Sequence, residues 1–114
     1  MASRFMIRLS DPALARGDEP GLSFQSSGAE GFAGELEAAL RTPALFERWK
    51  GMQDEPDDVE DALGVVDPDA RVTGQQRDLK IELEARTSLP GSVFRHRMRL
   101  LAGSHWELVD VRAG

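Results

Sequence analysis

The chain has 114 residues, no cysteine, 40% hydrophobic residues and a formal charge of −6. That length and apolar content describe one domain, residues 1–114, with enough side chains for a core. The cysteine count excludes disulfides, thiolate metal sites and cysteine catalysis, and the acidic balance argues against a nucleic-acid partner. No apolar run approaches bilayer-spanning length, and the N-terminus has no apolar stretch of the secretory type, so the expected location is cytoplasmic, with no membrane partner. Arginine outnumbers lysine by 12 to 2, which points to a GC-rich bacterial genome rather than to a function.

The first element is a strand in which Phe5, Ile7 and Leu9 alternate with Arg4, Met6 and Arg8. Asp11-Pro12 ends it, and the turn-rich stretch 11–21 reads as a surface loop with a helical turn at 12–16. Leu22 and Phe24 predict a second short strand over 21–25. Ser27 followed three residues later by Glu30 predicts a capping box at the start of a helix whose apolar stripe is Phe32, Leu36, Ala39 and Leu40. Thr42-Pro43 then predicts an N-cap with proline at the first position of a second helix, which has Leu45, Phe46 and Trp49 on its inner face.

Residues 54–69 contain eight acidic side chains and no basic one. Pro56 predicts a third, short helix with Asp57 and Asp58 in its first turn, ending at Gly64. Residues 71–75 return to the sheet, with Gly74 a candidate bulge or loop position.

Residues 76–112 read as a three-stranded meander. Leu79, Ile81, Leu83 and Ala85 alternate with Lys80, Glu82, Glu84 and Arg86. Phe94, His96, Met98 and Leu100 alternate with Arg95, Arg97 and Arg99, and a third strand runs over 106–112. Pairing Arg86 with Val93 sets Glu84 opposite Arg95 and Glu82 opposite Arg97, opposite-charge pairs contributing about 0.2–1 kcal/mol each. Val109 and Val111 join the apolar face. The expected fold is α+β: an antiparallel sheet of about five strands in the order β-β-α-α-α-β-β-β, with helices on one face.

No catalytic motif, phosphate loop or nucleophile elbow is present, and no cofactor is implied. His96, His105 and Glu107 share a parity, but on the meander His96 lies well along the strand from His105, and two histidines fall short of a zinc ligand set. The default is a packed His96 and a surface His105. The acidic segment does not fit the calcium-loop pattern and reads as solvated, or as a patch for a basic target. Residues 1–70 hold 15 acidic and 6 basic side chains, whereas 71–114 hold 5 and 8, which makes self-association a natural hypothesis.

The interface candidates are Arg95, Arg97, Arg99, Trp106 and Leu108, since tryptophan and arginine are enriched at hot spots. The expected function is therefore that of a small binding or adaptor domain acting through protein–protein association, as a homodimer or with another protein. The alternative is a small-molecule-binding protein or enzyme with a pocket between sheet and helices, lined by Phe46, Trp49, His96 and Met98.

Overall fold

The computed structural model describes residues 2–113. Strands β1 (Ser3–Leu9), β2 (Arg71–Arg77), β3 (Lys80–Thr87) and β4 (Glu107–Ala113) form one antiparallel sheet in the order β2-β3-β1-β4. Helices α1 (Ala29–Arg41), α2 (Ala44–Gly51) and α3 (Gly91–Ala102) form the second layer, with single 3-10 turns at Pro12–Leu14, Pro56–Asp58 and Asp61–Gly64. β1 lies between β3 and β4, antiparallel to both, so α3 links two parallel strands across it.

The α+β class with an antiparallel sheet is as the sequence predicts, but the sheet has four strands and the element order differs. The middle strand of the predicted meander is helix α3. Phe94, Met98 and Leu101 alternate poorly but fall at i, i+4 and i+7, and all three are buried. Arginine, methionine and leucine are good helix formers, and the segment is poor in β-branched residues. Gly103, at φ 63°, stops the helix.

Consequently Glu84 faces Met6 and Thr73, and Glu82 faces Arg8 and Gln75, instead of Arg95 and Arg97. Leu79 sits in the two-residue turn after Asp78 and is 85% exposed; Val109 and Val111 are about half exposed instead of buried. Residues 21–25 form no strand, although Leu22 and Phe24 are buried. The third helix is replaced by two 3-10 turns. α1 begins after Gly28 without a side-chain cap, and the Thr42 hydroxyl donates back to the Ala38 carbonyl instead of capping α2.

The helix-facing side of the sheet, Phe5, Ile7, Leu9, Val72, Ile81, Leu83 and Ala85, packs against Phe32, Leu36, Leu40, Phe94 and Met98. Phe5 stacks on Phe94 with centroids 4.2 Å apart, and Phe24 meets Phe32 edge-on at 4.8 Å. Gly74 makes no bulge. A Cβ there would lie 2.5 Å from the Ala29 carbonyl oxygen, so this glycine lets the start of α1 cross close over β2.

Arg97 is the centre of the helical layer, and it is fully buried. Its guanidinium donates to the Ala39 carbonyl (2.8 Å), the Leu63 carbonyl (2.8 Å) and the Val65 carbonyl (2.7 Å). Ala39 lies in the last turn of α1, where carbonyls lack helical partners and the dipole is negative. Among the described residues no carboxylate lies within 4 Å of Arg97, so carbonyl oxygens alone solvate the cation. Burial lowers its pKa, yet a guanidinium stays protonated at neutral pH.

Asp67 provides a second lock. Its carboxylate accepts from the Thr87 hydroxyl and the Ser88 amide, both at 2.9 Å, and from the Asp69 amide at 3.0 Å. Burial alone would raise this carboxyl; the Ser88, Thr87 and Asp69 hydrogen bonds outweigh it and hold the pKa below 3.8.

Arg97→Met is expected to cost about 3 kcal/mol, because one buried and two partly buried carbonyls lose their donor, with chemical denaturation as the measurement. For Asp67 the folded pKa is depressed, so its contribution is complete above the unfolded value and is lost as pH falls below 3.8 through the folded value. Asp67→Asn should lower stability at pH 7 by about 1–3 kcal/mol and flatten the acid limb of the stability–pH curve, as followed by thermal melts.

Candidate functional site: an arginine row on the open sheet face

Because β-strand side chains alternate, burying Phe5, Val72, Ala85 and Thr87 turns their neighbours to the opposite side. The register brings three of those neighbours and Arg112 into one line. Arg71 of β2 pairs with Arg86 of β3, Arg86 with Arg4 of β1, and Arg4 with Arg112 of β4. Every strand contributes one arginine. With strands roughly 4.8 Å apart, the row spans about 14 Å. Like charges directly opposite one another destabilise a sheet, so three consecutive arginine pairs run against the interest of folding.

Carboxylates meet Arg4 and Arg112 directly. Glu84 lies 3.6 Å from Arg4, and Asp110 accepts from Arg112 at 2.6 Å. The Arg112 hydrogen bond holds the Asp110 carboxyl below its usual value and raises Arg112. Among the described residues Arg71 has no ion-pair partner within 4 Å. Elsewhere on the face Glu82 pairs with Arg77, and Arg8 stands between Glu82 and Glu107. Across the face seven basic side chains (Arg4, Arg8, Arg71, Arg77, Lys80, Arg86, Arg112) stand against four acidic ones (Glu82, Glu84, Glu107, Asp110), while the whole chain carries −6.

Beside the row, Met6, Thr73, Glu84, Val109 and Asp110 border a shallow concavity of about 340 Å³. Val109 is the extra residue of a bulge where β4 shifts register against β1. No aromatic side chain of the four strands projects from this face. At both margins of the sheet a carboxylate takes a backbone amide. Glu37 accepts from Val72 of β2 at 3.1 Å, and Asp110 from Val111 of β4 at 2.9 Å.

The structure does not bring Arg95, Arg97 and Arg99 onto one face. Arg95 and Arg99 are exposed on α3, and Arg97 points into the core. Trp106 and Leu108 pack against the core; the indole donates to the Gly103 carbonyl at 3.0 Å, and Leu108 lies opposite Ile7. Both side chains are therefore partly buried within one chain. The N-terminal strand is inserted into the sheet itself, between β3 and β4.

Phe46, Trp49 and His96 do come together. Phe46 and Trp49 centroids are 5.8 Å apart, Trp49 and His96 4.4 Å. They pack on one another, Met98 is fully buried, and none of the four borders the concavities described here. Burial, with the nearby charges of Arg97 and Arg99, lowers the His96 pKa and keeps the ring neutral at pH 7. His105 is exposed, and among the described residues no three histidine, aspartate or glutamate side chains are placed to hold a metal ion.

A second groove, of about 410 Å³, lies between the 20–25 loop and helices α1 and α2, with Leu22, Ala38, Leu45 and Leu101 as its apolar walls and Arg48 at its edge. Six exposed carboxylates, Asp54, Glu55, Asp57, Asp58, Glu60 and Asp61, form a separate patch, and among the described residues only Asp61 has an ion-pair partner, Lys50 at 3.6 Å.

Comparison with protein-family models, with curated proteins and with solved structures yields no match.

Arg71→Thr should leave stability within about 0.5 kcal/mol of wild type or raise it slightly at low ionic strength, because it removes one cross-strand repulsion and adds a good strand former. Urea unfolding of the two proteins checks this.

Proposed function

We propose that the domain is a protein-binding or adaptor module that recognises an acidic protein surface through the open face of its sheet. The observation that carries this reading is the arginine row Arg71-Arg86-Arg4-Arg112. A line of guanidinium groups, each with several donors and a permanent charge, suits carboxylates arranged along a segment. An anion lying across the row would bring further negative charge to a place where like charges stand side by side. Polar and charged neighbours on the face, with Met6 and Val109 between them, resemble the mixed character of a transient interface more than that of an obligate one. The face lacks the aromatic platforms on which unpaired bases stack, which favours a protein partner over single-stranded nucleic acid.

A second reading, a small-molecule site, is supported by the 410 Å³ groove, whose apolar walls and edge Arg48 would suit a small carboxylate with an apolar tail.

Binding of poly-L-glutamate, followed by fluorescence anisotropy, tests the principal reading. The paired change Arg71→Thr and Arg86→Thr should weaken binding roughly tenfold or more, and wild-type affinity should fall steeply with salt. Unchanged binding in the pair, or preference for a single-stranded oligonucleotide over poly-glutamate, sinks the proposal.

A further inference from the structure

The acidic patch and the arginine row occupy opposite sides of the molecule. The 3-10 turn Asp61–Gly64 is held to α3 by the Arg97 hydrogen bonds to the Leu63 and Val65 carbonyls, and α3 lies on the helical side of the sheet. The row projects from the other side. One chain therefore carries a cationic line and an anionic segment that it cannot bring together.

Building on the proposed function, we infer that the row's occupant is the 54–61 segment of a second copy of this chain. Size and charge support the match. Six of these eight residues are exposed acids, and seven residue steps at roughly 2–3.3 Å each cover about 14–23 Å, enough to cross the row. Five of the six carboxylates have no ion-pair partner among the described residues. Arg71, the outermost member of the row on β2, has none either. The chain just beyond the segment is held by Arg97 at Leu63 and Val65, which fixes where the segment leaves the helical layer.

The geometry also sets the symmetry. Donor and acceptor surfaces on opposite layers cannot satisfy each other reciprocally in a two-fold dimer. The contact is head-to-tail, and it builds rings or short filaments instead of stopping at two copies. Being ionic and exposed, it is reversible by salt.

Light scattering coupled to size exclusion tests this at about 20 mM and about 500 mM salt, conditions that change the Debye length several-fold. Wild type should grow beyond dimer mass with concentration at low salt and return to monomer at high salt. Two variants remove one half of the contact each: Asp57→Lys with Asp58→Lys, and Arg71→Glu with Arg112→Glu. All of these positions are exposed, and circular dichroism and melting confirm that each variant is folded. Alone, each should be monomeric. Mixed, they should form a one-to-one complex through the single intact row and the single intact segment. Absence of that complex, or a wild type that stays monomeric at low salt while still binding poly-glutamate through the row, overturns this inference and leaves the proposed function standing. Loss of poly-glutamate binding as well would remove both.

Discussion

A single buried cation ties the helical layer together. Arg97 projects from the middle of α3 into a space bounded by the end of α1 and by the chain after the last 3-10 turn, and it supplies the hydrogen bonds that both need. Helix ends and irregular loops are where buried carbonyls most often lack donors. One guanidinium meets three of them at once, which a lysine, a point charge on a flexible stem, would match poorly. The path of the acidic loop follows from this: with Leu63 and Val65 held, Gly64 passes against the Phe46 ring, where a Cβ would lie 2.6 Å from a ring carbon. The loop is poor in regular structure, yet its course is set by two carbonyls.

That arrangement ties α1 and α3 together on one side of the sheet. Asp67, just beyond the loop, fixes the end of β3 through Thr87 and Ser88, and its own amide donates to the Leu40 carbonyl at 2.8 Å. The opposite side of the sheet is left bare. Its composition departs from what stability alone would favour, since four arginines stand shoulder to shoulder where alternating charge would fold better. Such a conflict between a local rule and the global fold is where function is usually lodged.

The class of the fold and most of its core were legible. Alternation identified β1 and β3, and the stripe of α1 identified Phe32, Leu36 and Leu40 correctly. The failures have physical causes. In 91–102 the apolar residues satisfy both a period of two and a helical period over part of their length, and alternation was the wrong choice between them. Pro90 before the segment, Gly103 after it and a twelve-residue length were the signals favouring a helix. Arg97 was hidden because a buried arginine is normally sought through a carboxylate, and this one has only carbonyls. The arginine row could not be read at all. Arg4, Arg71, Arg86 and Arg112 are far apart in sequence and meet only through the register of three strand pairs, the most non-local information in the fold. The charge imbalance between the two parts of the chain was visible, and its spatial form, two separated layers, was not.

The carboxylates at the sheet's margins, Glu37 against Val72 and Asp110 against Val111, have a consequence for how the molecule can grow. An unguarded outer strand is a template on which further chains can crystallise, one strand at a time, into material that does not redissolve. Here one amide at each margin is already occupied by a charged group, and the Val109 bulge breaks the straight run beside one of them. Backbone-to-backbone polymerisation must first evict an anion. Contacts between copies are thereby biased toward the faces, where ions hold and release, and away from the margins, where a mistake would be permanent.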